Sequence, residues 1–261
     1  MTSETSDHDA TEEFLRGLPE LAQGESFQFA CHPGVPCFNA CCSDLSLMLT
    51  PYDVLRLRKA LGLSSREFTA RLAQVAQAPD TGFPMLKLRM REEIPGLPCP
   101  FVTVQGCSVY PNRPGACRTY PLGRATKTNE ASEVVEQFFV VREPHCRGFE
   151  QVPAWTSGDW LKDQDLTTYN SFNDQYMLLL AEAKSRGMRL TPKQTNLVFL
   201  AAYSLDAFKD FLVQMGALTR LELTAEQEQA ILHDEEARLA FATGWLELML
   251  FGVERTVRKK A

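Results

Sequence analysis

The stretch Cys31-His-Pro-Gly-Val-Pro-Cys37-Phe-Asn-Ala-Cys41-Cys42 places four thiols within about a dozen residues and sets prolines between the first two. Prolines fix φ and withhold backbone donors, so such a segment builds neither a helix interior nor a central strand. It reads as a rigid loop, and four thiols so close together are wasteful as core packing. Thiolate sulfur is a soft ligand suited to zinc and to iron–sulfur clusters. The fold is therefore expected to organise around a metal rather than around this segment's own secondary structure. Adjacent residues in an extended backbone point to opposite faces. On that geometry Cys41 and Cys42 would serve different metal atoms.

Working outward, the remaining thiols arrive in later bursts. Cys99-Pro-Phe and Gly106-Cys107-Ser-Val-Tyr110 come first, then Arg113-Pro-Gly-Ala-Cys117-Arg118 and finally Pro144-His-Cys146. All eight cysteines (31, 37, 41, 42, 99, 107, 117 and 146) are metal-ligand candidates, and none follows Cys146. Arg113 and Arg118 are candidates to donate hydrogen bonds to sulfur or to hold an anionic group, as outer contacts of metal sites do. His32 and His145 adjoin cysteines but read as ordinary loop histidines. Tyr110 and Tyr120 read as packing residues.

Helical signals surround these loops. Thr50-Pro-Tyr-Asp53 supplies an N-cap, a proline at the first helical position and a first-turn acid, with Gly62 as the stop. Ser64 and Glu67 form a capping box. Met85–Met90 alternates apolar and basic residues, and Phe101–Val104 and Val134–Val141 are rich in strand formers. Arg113–Tyr120 reads as a turn or one short helical segment. From Ser157 on, the pattern is helical. Tyr169, Phe172, Tyr176 and Leu180 share a face that ends near Gly187. Thr191-Pro-Lys-Gln194 opens a helix running through Leu197–Leu212, and Thr224 with Gln227 opens another that continues through Leu239 to Phe251. The expected class is α+β: a metal-centred, loop-rich cysteine region with short strands and helices, followed by a mainly helical part. The expected division is a polar segment over 1–26, a cysteine-cluster domain over 27–152 and a helical domain over 153–261.

A net charge of −6 argues against a sequence-independent nucleic-acid binder, which needs a dominant basic surface. The N-terminus is acidic and polar, unlike a secretory signal, and the longest apolar runs are too short to span a bilayer. A cytoplasmic protein is expected, without nucleic acid or membrane as partner. There, clustered cysteines mean metal or redox chemistry more often than disulfides.

Phe38-Asn-Ala-Cys41-Cys42, Leu49-Thr-Pro-Tyr-Asp53, Leu61-Gly62, Cys99-Pro-Phe, Gly106-Cys107-Ser-Val-Tyr110, Arg113-Pro114, Cys117-Arg-Thr-Tyr-Pro121 and the closing Cys146 occur in one order. That ordered set resembles the YkgJ-type cysteine-cluster family over about Phe27 to Gly148. The resemblance implies chelation of zinc or iron, with no settled reaction. One set of relatives, the flagellin lysine methylases, attaches a similar module to methyl transfer. Here Cys31 and Cys37 are further apart than the family's short opening steps.

The metal itself is an expectation from spacing. Structural zinc favours paired close knuckles. Cys37-x3-Cys41 is one, but no second close pair stands among Cys99, Cys107, Cys117 and Cys146. Iron–sulfur clusters accept dispersed ligands, and Cys99-Pro100 is similar to the end of ferredoxin ligand runs. An iron–sulfur cluster, 4Fe-4S for preference, is expected ahead of zinc. There is no Walker loop, no dinucleotide fingerprint and no His-Glu-x-x-His. Three classes remain: a metal carrier or sensor with a protein or small-molecule partner, a cluster-dependent enzyme, and a structural zinc site in an interaction domain.

Overall fold

The computed structural model describes residues 17–128 and 134–260. Positions 1–16 of the expected polar segment lie outside the described residues. The architecture is α+β, with short antiparallel strands and a mainly helical C-terminal region. Two compact units each gather several stretches of chain. The first combines Met1–Cys42, Thr103–Gly106 and Gly115–Thr167; the second combines Ser43–Val102, Cys107–Pro114 and Thr168–Ala261.

In the first unit, strand Val134–Val140 lies between Glu20–Leu21 and Leu122–Thr128, antiparallel to both. A second ribbon pairs Ser26–Gln28 with Ala154–Thr156. Leu21, Phe27, Phe29, Leu122, Val140 and Trp160 form the core beneath them. Phe29 meets Trp160 edge-on at 5.5 Å, and Tyr120 and Phe149 also present edges to it. Edge-to-face contact suits the ring quadrupoles. Both indoles at this core are satisfied: Trp155 donates to the Phe29 carbonyl and Trp160 to that of Thr119. Thr156 caps the Ser157–Asp163 helix, which holds Trp160 in place.

The second unit sets a sheet against helices. Pro84–Leu88 is its central strand, between Met48–Leu49 and Ala73–Gln77. The expected alternation is present, since Leu86 and Leu88 are buried and Lys87 is turned outward. Capping boxes open Pro51–Leu61, Ser65–Leu72, Pro192–Tyr203 and Ala225–His233, and Gly62 closes the first in the left-handed conformation. Tyr176 and Tyr203 donate from the helices to the carbonyls of Pro84 and Leu49, so two buried hydroxyls fasten the layers.

Three expectations are corrected. The helix through Leu197–Leu212 breaks at Ser204 into Pro192–Tyr203 and Leu205–Gln214. The helix opened by Thr224 breaks at Asp234, which leaves the helical region (φ −115°, ψ 127°) and accepts from the Ala237 amide to cap Glu235–Phe251. Buried Arg238 donates to the carbonyls of Ile231 and Leu232, satisfying the end of the preceding helix. The Phe101–Val104 strand shrinks to Val102–Thr103. No helix among the described residues is long and apolar enough to cross a membrane.

Candidate metal centre

The first cysteine segment is a run of tight turns. The amides of Val35, Phe38, Ala40 and Cys42 donate in succession to the carbonyls of His32, Val35, Cys37 and Asn39, each three residues back. Asn39 takes a positive φ of 69°, which asparagine tolerates better than most residues, and its side-chain amide donates to the Thr103 carbonyl. Val35, 2% exposed, pins the run from below. The extended backbone assumed for Cys41 and Cys42 is therefore absent. Their thiols do not diverge; the Cys42 thiol hydrogen-bonds the Cys41 sulfur.

Cys146 reaches the same place from the far end of the unit. It leaves strand Val134–Val140 through a turn closed by its own amide on the Glu143 carbonyl, and it packs against the aromatic core. Gly148, two residues on, accepts from the Ala30 amide beside Cys31. A cavity of about 30 Å³ results, and Cys31, Cys37, Cys41, Cys146, His145 and Tyr120 line it.

The electrostatics suit thiolate. Hydrogen bonding from Cys42 lowers Cys41 to about 6 from the usual 9.0, against the opposing effect of burial and with help from His145. The Arg147 amide donates to the Cys37 sulfur at 3.1 Å, a contact that stabilises charge on a ligand sulfur. The Tyr120 hydroxyl is buried and makes no hydrogen bond of ordinary geometry. Burial first, then contact with the Cys146 sulfur and the charges of Cys146 and Cys41, push its proton loss well above the usual range, against a smaller opposing pull from the Glu143 backbone.

The other candidates are placed elsewhere. Cys117 is exposed on the short helix Gly115–Thr119. Buried Arg118 donates to the Gln164 carbonyl at the end of the Ser157–Asp163 helix. Cys99 and Cys107 belong to the second unit, where burial raises both thiols above their usual value. Arg113 is buried in that unit, stacked 3.8 Å over the Tyr110 ring and donating to the Tyr110 carbonyl. His32 turns back to accept from the Gly34 amide, whereas His145 lines the cavity. Reading the residues alone missed the Tyr120 hydroxyl, the Arg147 amide and Gly148. An amide leaves no mark in sequence, and a lone tyrosine or glycine beside a thiol reads as packing.

Among the described residues, no group of three or more His, Cys, Asp or Glu side chains is already arranged to hold a metal ion. The donor set nevertheless fits one: four cysteines line one cavity, one of them lowered toward thiolate and another met by an amide donor. Ligation requires these thiols to draw inward across the cavity.

Residues 30–147 match the CxxCxxCC family model, described as "Putative zinc- or iron-chelating domain". This is the cysteine-cluster family that the ordered motifs resemble, and the match supports metal binding by this region. No curated protein and no solved structure matches the chain.

Proposed function

We propose that this protein is a cytosolic metal-binding protein whose first unit holds an iron–sulfur cluster, 4Fe-4S for preference, through Cys31, Cys37, Cys41 and Cys146. The observation that carries the reading is that these four cysteines line one cavity, with Cys42 hydrogen-bonded to Cys41 beside them. Such a cluster would supply one-electron chemistry, with its potential set by hydrogen bonds to the sulfurs and by solvent access. The chain's own part is to hold four thiolates, to place the Arg147 amide on one sulfur, and to back Cys146 with the aromatic core. Cys99 and Cys107 are a second candidate pair in the other unit, and Arg113 and Arg118 support the loops around their respective cysteines.

Zinc is a second reading with its own support. A space of about 30 Å³ accommodates one or two water-sized bodies, which suits a single ion better than a multi-iron core. Anaerobic purification from iron-replete cells, with iron, zinc and acid-labile sulfide assays, separates the two. Brown protein with iron and sulfide supports the cluster. Colourless protein with about one zinc and no iron overturns it in favour of a structural or storage site. Cluster-assisted methyl transfer, by analogy with the flagellin methylases, would require a substrate-dependent turnover that a carrier or sensor lacks.

A further inference from the structure

Resting on the thiolate reading above, we infer that Tyr120 is a positioning residue whose hydroxyl donates to the Cys146 sulfur once that sulfur carries metal. Three observations bear on it. The hydroxyl oxygen is buried and has no ordinary hydrogen-bond partner, although a buried phenol normally finds one. It opens on the cavity lined by the thiols, with Cys146 as the sulfur it faces. The ring is fixed on both sides: it packs edge-on against Phe29 at 5.7 Å, and its amide donates to the Ala116 carbonyl of the short helix.

A thiol is a weak acceptor, whereas a metal-bound thiolate is a strong one. The unsatisfied phenol thus carries a desolvation cost that metal binding at Cys146 relieves. Withdrawal of charge from sulfur by this bond makes the thiolate a poorer electron donor to the metal. Tyr120→Phe would keep the packing and lose only the donor.

The test is anaerobic Co(II) titration of the full-length metal-free chain, read from the thiolate-to-cobalt charge-transfer band. Wild type, Y120F, C146S and the Y120F/C146S double variant are compared, with Y110F as a control for an exposed tyrosine outside the cavity. Y120F should bind cobalt in wild-type stoichiometry, with a band at longer wavelength and affinity several-fold lower. Its urea midpoint in the metal-free protein should be no lower than wild type, since the change removes a buried hydroxyl that has no ordinary partner there. In the C146S background, Y120F should add no further shift. An unshifted band in Y120F overturns the inference while leaving the metal site standing. Loss of cobalt stoichiometry in Y120F overturns it too, because Tyr120 would then be a ligand. Absence of any thiolate–cobalt band in wild type overturns the thiolate reading itself.

Discussion

Replacing Gly148 with Ala tests how the two ends of the first unit are held together. A Cβ at this position would lie 2.4 Å from one carbon of the Phe29 ring, 2.9 Å from another and 2.9 Å from the Ala30 carbonyl oxygen. To restore ordinary contact at 3.4 Å the ring must retreat by about 1 Å. Phe29 is only 2% exposed and braced by Trp160, Tyr120 and Phe149, so it has no free direction. Overpacking a core in this way costs about 1–3 kcal/mol. With a urea slope of about 2 kcal/mol per molar, the midpoint should fall by about 0.5–1.5 M. Trp155 and Trp160 report on this core, so tryptophan fluorescence follows the transition. The alternative is that the Cys146 loop moves instead of the ring. That would loosen the bond from the Ala30 amide to the Gly148 carbonyl and separate Cys31 from Cys146. Metal affinity should then drop about tenfold or more, as when a supporting contact of a metal site is lost. Gly158→Ala is the control: its Cβ meets only the Thr156 hydroxyl at 3.9 Å, and the change should be neutral or slightly stabilising. If G148A matched wild type in both urea midpoint and bound metal, the reasoning from close packing would be refuted.

Further outcomes are expected elsewhere. In metal-free protein, iodoacetamide should modify Cys41 first, with a rate that rises through about pH 6, while Cys99 reacts slowly because burial holds its thiol up. Mass spectrometry of digested protein resolves the two, and Cys42→Ala should move the Cys41 midpoint upward. Asp206 is a stability switch in acid. Burial alone would raise its carboxyl, but the nearby Ser65 side chain and the donating amides of Ser65 and Ala207 outweigh it and hold it below 3.8. Its contribution is therefore full above pH 3.8 and lost as pH falls further, so D206N should flatten stability against pH in that range without such a change near neutrality. Thr191→Ala removes an N-cap whose side chain accepts from Gln194 and should cost about 0.5–2 kcal/mol by urea denaturation. Chelation of the loaded protein should reduce hydrogen-exchange protection first around Cys31–Cys42 and Cys146, and equal loss in the Pro192–Tyr203 helix would contradict a site confined to the first unit.

Much of the second unit was legible because its signals are local. Thr50 with Asp53, Ser64 with Glu67, Thr191 with Gln194 and Thr224 with Gln227 satisfy orphan amides within one turn, so the start of each helix is written in four residues. The breaks at Ser204 and Asp234 were harder, since neither proline nor glycine marks them. Asp234 ends a helix by capping the next, which depends on where the following chain goes. Strand Ala73–Gln77 has weak strand formers and exists through its pairing with Pro84–Leu88. At the site, the density of thiols over Cys31–Cys42 pointed to the right segment, and Cys146 closed the expected order. The six-to-two division of the cysteines between units was not legible, because it depends on which distant loops fold together. The role of His145 lay hidden for the same reason: His32 has the same neighbour in sequence yet folds back on its own loop.

The thiols around the cavity come from opposite ends of a long excursion, with Ser43–Val102 of the other unit strung between Cys42 and Cys146. During synthesis, the ribosome must therefore deliver the chain past Cys146 before all four can meet. Cys31, Cys37 and Cys41 emerge early and wait, open to oxidation or to capture by stray metal, for the whole time that the intervening residues are made. Closing so long a loop adds little thermodynamic burden, since each doubling of length costs only about 0.6 kcal/mol. The price is one of timing: metal loading is tied to completion of the first unit, and a truncated nascent chain would present an incomplete set of ligands.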